Sequence, residues 1–298
     1  MLVMIIVKLM GGLGNQMFQY AFGKYLSLKH STELKIDISF LNDRTFKENF
    51  TYRDYELDGF NVNESFASQK EIDLFNQTYH QKILNHLLLH ISFLKTNFYL
   101  REPHFHFYKK ALNTPANTYI DGYWQSEKYF NATGEQLKKN FTPRIPFSQQ
   151  SQQLAEKIKQ TESVSIHVRR TDYVNNPHIH NYHGVCSKEY YYNAIKIISA
   201  KIPNPQFYVF SDEPKWVKEN IKINFPVNYA EHNTGKKNYE DLCLMSFCKH
   251  NIIANSSFSW WGAWLNNNPD KIIIAPQKWF NNTSKNTKDL IPETWLKI

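Results

Sequence analysis

The apolar positions of this chain change period along its length, and the changes mark out its elements. Residues 2 to 9 form a β-branched, largely apolar run that stops at Gly11-Gly12-Leu13-Gly14-Asn15, after which Met17, Ala21, Tyr25 and Leu28 recur at helical spacing. The pattern predicts strand, glycine turn, helix. Leu34 to Ile38 reads as a second short strand. From about Phe40 to Tyr119 the pattern weakens, with one segment, Ile83 to Leu94, apolar enough for a helix that packs in a core rather than on a membrane surface. Acceptor-facing irregular structure is expected in this stretch. Thr118 to Phe130 then reads as a strand entering an aromatic-lined helix start.

The sequence FTPRIPFSQQSQQ, Phe141 to Gln153, combines prolines with polar residues and looks like a domain boundary. After it the pattern becomes regular. SVSIHV, QFYVFS, FPVNYA, NIIAN and KIIIAP read as apolar strands, with helices expected over Lys188 to Ile202, Glu213 to Ile221, Tyr239 to His250 and Phe258 to Asn266. Such alternation predicts an α/β chain of two halves, 1–150 and 151–298, with the ligand cleft at the carboxyl ends of parallel strands.

Composition narrows the partners. The 298 residues carry a formal charge of +8 with pI near 9.1, which favours anionic ligands, but no long run of Lys or Arg suggests nucleic-acid binding. A phosphorylated small molecule fits better, with weak peripheral membrane association as a further expectation. Three cysteines, none in a C-x-x-C spacing, suit a reducing compartment. With neither a signal-peptide pattern nor a spanning apolar stretch, the expected location is the cytoplasm.

Three constellations carry candidate chemistry. GGLGNQ, Gly11 to Gln16, lets backbone approach a ligand and aims helix N–H groups at it, yet is neither a P-loop nor the dinucleotide fingerprint, since Met17 stands at the third glycine position. HVRRTD, His167 to Asp172, follows a strand, so that His167 and Arg169 emerge at its carboxyl end, where a guanidinium can fork a diphosphate. An Arg170–Asp172 surface ion pair is the plain structural reading of the other two. NSSFSWWGAW, Asn255 to Trp264, places Ser256 or Ser257 as the cap of a helix whose Trp260, Trp261 and Trp264 pack mainly in a core. No Asp-x-Asp occurs, so no metal is expected at the diphosphate. His178, His180 and His183 read as a loop beside the cleft rather than a zinc site, and Asp212 before Pro214 reads as a helix N-cap.

These motifs, in this order, resemble the inverting bacterial α1,2-fucosyltransferases of glycosyltransferase family 11. The likeness runs from GGLGNQMFQYAFGKYL through GYWQSEKYF, HVRRTDYV, HGVCSKEYYYNAI and FYVFSDEPKWV to EDLCLMSFCKHNIIANSSFSWWGAWL, and is weakest between about Phe40 and Tyr119. It implies two Rossmann-like domains facing a cleft, of GT-B type: 1–150 on the acceptor side, and 151–298 holding GDP-fucose. It implies transfer of L-fucose to the 2-hydroxyl of a terminal galactose in an oligosaccharide acceptor, without a cofactor. By the same resemblance Arg169 contacts the donor diphosphate and His167 the nucleotide. Gly12, Gly14 and Asn15 lie near the phosphates, Asp241 reads the guanine edge, and Asn255, Ser256, Ser257 and Phe258 supply phosphate and base contacts. Asp172, Asp121 and Glu127 stand as alternative bases. The competing readings are a GDP-sugar transferase of other sugar or linkage, and a non-catalytic glycan- or nucleic-acid-binding module.

Overall fold

The computed structural model describes residues 3–45, 51–75, 97–171, 181–281 and 284–298. Two parallel sheets organise them. The first comprises β1 (Met4–Lys8), β2 (Glu33–Asp37), β3 (Ser65–Phe66), β4 (Phe98–Arg101) and β5 (Thr118–Asp121) in the order β3-β2-β1-β5-β4. The second comprises β6 (Ser163–Val168), β7 (Gln206–Ser211), β8 (Val227–Ala230), β9 (His250–Ile252), β10 (Ile273–Ala275) and β11 (Leu296–Lys297) in the order β11-β10-β9-β6-β7-β8. Every strand pair is parallel. Strand order reverses beside β1 and beside β6, and a ligand crevice forms outside the carboxyl ends of the strands at such switch points. β6, buried at all six residues, is sandwiched on both faces, so its polar Ser163, Ser165 and His167 are as deeply covered as its apolar Val164, Ile166 and Val168.

Six helices matter for the site: α1 (Leu13–His30), α2 (Gln149–Lys159), α3 (Lys188–Ser199), α4 (Pro214–Asn220), α5 (Asn238–Phe247) and α6 (Ser257–Trp264). The helix expected over 239–250 is shorter than its sequence pattern, because Cys248 turns extended and His250 begins β9, pairing with β6. Pairing in a sheet outweighs local propensity there. The helix expected over 83–94 lies outside the described residues. Among the described residues, no helix is long and apolar enough to cross a membrane.

The core does not stop where the sequence suggests a boundary. α1 lies between the first sheet and α6, and Phe18 sits 4.5 Å from Trp260 and 5.0 Å from Trp261, centroid to centroid. Phe130 stacks on Trp261 at 5.3 Å, and Phe141 meets the same indole edge-on at 5.1 Å. Trp260 and Trp261 are fully buried, and Trp264 is half-buried, as their spacing predicts. One continuous aromatic cluster therefore joins the two halves.

Candidate active site

Two helix N-termini meet at the junction of the sheets. Gly12 occupies the N-cap of α1 and Ser256 that of α6, and neither helix has a side-chain cap. Ser256 thus stands at the cap position expected for it, without a capping bond from its side chain, while the Ser257 hydroxyl donates to Asn15 Oδ1 at 2.8 Å, and Gln125 Nε2 donates to the same oxygen at 2.7 Å. Their mutual approach needs Gly14. A Cβ on that residue would lie 2.4 Å from the Ser257 carbonyl carbon and 2.5 Å from the Phe258 nitrogen. The Trp261 indole N–H closes the contact by donating to the Gly14 carbonyl at 3.0 Å. An uncapped helix N-terminus presents amide donors and a partial positive charge, the arrangement that holds phosphate oxygens.

His167, Arg169 and Asp212 lie along the adjacent strand ends. His167 is 5% exposed, its ring lies 5.5 Å from that of Phe258, and its Nδ1 has no hydrogen-bond partner among the described residues. Burial pulls its pKa down to about 3, with nearby Asp212 opposing and Arg169 reinforcing, so the imidazole is neutral at physiological pH. An orphaned polar atom this deep suits a ligand group as partner. Arg169 Nη1 stands 3.3 Å from Asp212 Oδ2, both side chains being mostly covered.

Asp212 is not the cap of the following helix; Glu213 holds that position, without capping it. Its carboxylate accepts from the backbone N–H groups of Arg170 and Thr171, each at 2.9 Å, besides pairing with Arg169. The residue thus fixes Arg169 to Thr171 where the chain leaves β6, a role its position after a strand could have suggested. Arg170 is held away by Glu213 at 3.0 Å and by the Trp216 ring at 3.5 Å, so its partner is Glu213. Asp172, His178 and His180 lie outside the described residues.

Asn255 is committed elsewhere. Its amide donates to the carbonyls of His183, Gly184 and Trp279 at 3.1–3.2 Å, and its oxygen accepts from the Cys186 thiol at 3.5 Å, so it anchors the 183–186 loop over β9. Asp241 sits on α5 near the end of β8, held by Asn233 Nδ2 at 2.7 Å. Burial pushes its carboxyl up to about 7, against the lowering effect of that bond and with a raising contribution from Glu240. It is half-buried, not the solvated surface charge that a helix carboxylate usually is.

The two remaining base candidates are engaged. Asp121 accepts from the Tyr99 hydroxyl at 2.6 Å and lies 3.5 Å from Lys8, while Glu127 accepts from the Trp264 indole at 3.2 Å. Among the described residues, no three His, Cys, Asp or Glu side chains group as metal ligands.

The family model of glycosyl transferase family 11 matches residues 3–298. An Escherichia coli alpha-1,2-colitosyltransferase is 36% identical over 301 residues, covering 99% of this chain and 98% of that protein. The Escherichia coli O-antigen biosynthesis glycosyltransferase WbnK is 35% identical, covering 97% and 99%. A galactoside alpha-(1,2)-fucosyltransferase 1 of Bos taurus is 26% identical, covering 60% of this chain and 52% of that protein. Among solved structures, NodZ alpha-1,6-fucosyltransferase soaked with GDP-fucose superposes with TM-score 0.48 at 13% identity, covering 89% and 93% of the two chains.

Proposed function

The chain belongs to glycosyl transferase family 11, and on that premise we propose that it transfers L-fucose from GDP-fucose to the 2-hydroxyl of a galactose-terminated glycan with inversion. The observation that carries the reading is the placement of Arg169 and the uncapped end of α6 at neighbouring strand ends, beside the buried, neutral His167. In the reaction the galactose hydroxyl oxygen bonds to fucose C1 from one face and releases its proton to water. The C1–O bond to phosphate breaks on the other, its electron pair passing to the β-phosphate oxygen. Arg169 and the α6 amides stabilise that growing charge, and His167 donates a hydrogen bond as a neutral imidazole. Acceptor-dependent GDP release from GDP-fucose, with linkage analysis of the product, tests the reading; GDP binding without release to any galactoside would refute it.

Asp241 is assigned to the guanine edge, where a carboxylate accepts from N1–H and the 2-amino group only when ionised. Because its folded pKa lies near 7, GDP affinity is expected to weaken as pH falls through 7, by up to about tenfold per unit below it, and Asp241→Asn to flatten that profile. Calorimetric titration with GDP between pH 5.5 and 8.5 checks both. For stability the sign is opposite: the folded chain keeps a proton that the unfolded carboxyl releases near 3.8, so this group's contribution falls as pH rises from 3.8 to 7.

A second donor has specific support, since the 36%-identical relative is named a colitosyltransferase. Colitose is fucose without its 3-hydroxyl. A site that hydrogen-bonds this hydroxyl rejects the deoxy sugar by about 10⁴-fold, whereas a site shaped for the deoxy sugar excludes the hydroxyl only about 10²-fold. The kcat/KM ratio for the two GDP-sugars is therefore expected to exceed 10³ in favour of fucose, and a ratio favouring colitose would reassign the donor.

A further inference from the structure

At the carboxyl end of the first sheet, Glu102 follows β4 and Gly122 follows β5, joined by the Glu102 N–H donating to the Asp121 carbonyl at 2.8 Å. The approach is so close that a Cβ on Gly122 would lie 2.4 Å from Glu102 Cβ. The Glu102 carboxylate then accepts from Tyr123 N at 2.8 Å and Trp124 N at 3.0 Å, one bond on each oxygen. These bonds hold Trp124 at φ +55°, in a left-handed conformation rare for a bulky residue. Strain of this kind persists only where the surroundings over-determine it, and it clusters at functional sites.

The clamped turn throws Tyr123 outward. Tyr123 is 39% exposed, whereas Trp124 and Gln125, which follow it, are buried. Burial raises the pKa of its hydroxyl, with Tyr182 and Glu102 adding to the rise, so these two side chains stand near it and form one wall with it. Tyr182 is anchored by Phe280 at 5.2 Å, and Phe280 packs on Phe105 at the same distance. The wall adjoins the donor end of the cleft. Gln125, two residues on and so within about 7 Å along the backbone, bonds the Asn15 oxygen that also receives Ser257.

Taking the chain as a fucosyltransferase, we propose that Tyr123 and Glu102 form the acceptor-sugar subsite, the ring stacking on the C–H face of a pyranose and the carboxylate accepting from its hydroxyls. A hexopyranose offers one apolar face and a polar rim, which an open aromatic ring with a carboxylate at its edge complements. Each Glu102 oxygen, having accepted one backbone N–H, keeps a lone pair for a sugar hydroxyl. Neither residue belongs to the motifs that point to the donor.

The test uses the full chain. Tyr123→Ala is expected to raise the KM for N-acetyllactosamine at least tenfold while calorimetric GDP affinity stays within twofold; an acceptor KM also within twofold overturns the subsite. Failure of the galactoside reading shows separately, as a wild-type chain that binds GDP but transfers to no galactoside. In that case the chain is labelled with 3-fluorotyrosine, and the fluorine resonance missing from Tyr123→Phe is followed during titration with methyl β-galactoside, methyl β-glucoside and methyl N-acetyl-β-glucosaminide. A shift with at least one sugar supports the subsite, and silence toward all three overturns it.

Discussion

Arg169→Ala is expected to lower kcat/KM for acceptor-dependent GDP release by about 10³-fold, roughly 4 kcal/mol of transition-state stabilisation, with little change in melting temperature. The size follows from the chemistry of the step: the departing diphosphate gains charge in a half-covered site, where a fixed guanidinium acts more strongly than in water. The small effect on folding follows from the geometry, because Asp212 keeps the backbone N–H groups of Arg170 and Thr171 as donors when the 3.3 Å contact with Arg169 is lost. Arg169→Lys should recover little, since an ammonium cannot fork two phosphate oxygens. Steady-state kinetics beside a thermal melt checks the claim, and near-normal turnover would remove Arg169 from the mechanism.

Gly14→Ala is expected to damage both folding and catalysis. The added methyl would meet the backbone of Ser257 and Phe258 at 2.4–2.6 Å, and backbone has no rotamer with which to yield. Overpacking usually costs about 1–3 kcal/mol, and the upper end applies where the helices themselves must part. That parting also breaks the Ser257–Asn15 bond and moves the α6 amides. A fall in melting temperature of roughly 6–10 °C, with at least tenfold loss of turnover in the folded fraction, is the expected result. Unchanged melting and activity would show that the helices do not need this contact.

The second half was the more legible in sequence. Its central strands β6, β7, β9 and β10 are apolar runs between helical stretches, and each was predicted within a few residues. β3, β4 and β11 were not, because they lie at sheet edges and have only two to four residues, too few to show a period. The site divides similarly. His167 and Arg169 stand out in sequence as candidates because a strand and a cationic motif adjoin there. Asp212 was misread as a cap because its partners lie some forty residues away, and Asn255 was given a ligand role that its three backbone carbonyls now occupy. Glu102 was invisible for the same reason as Asp212: its meaning comes from the neighbouring strand, not from adjacent residues.

The aromatic cluster shared by the two sheets also bears on how the chain folds during synthesis. Phe18, Phe130 and Phe141 leave the ribosome well before Trp260 and Trp261, the rings that cover them. Until α6 has emerged, the nascent first half carries an open aromatic face, the kind of surface that chaperones shield and that aggregates when left bare. Completion of that face and the meeting of the α1 and α6 N-termini are then the same event, so the nascent chain covers its aromatic surface and sets the Asn15–Ser257 junction together.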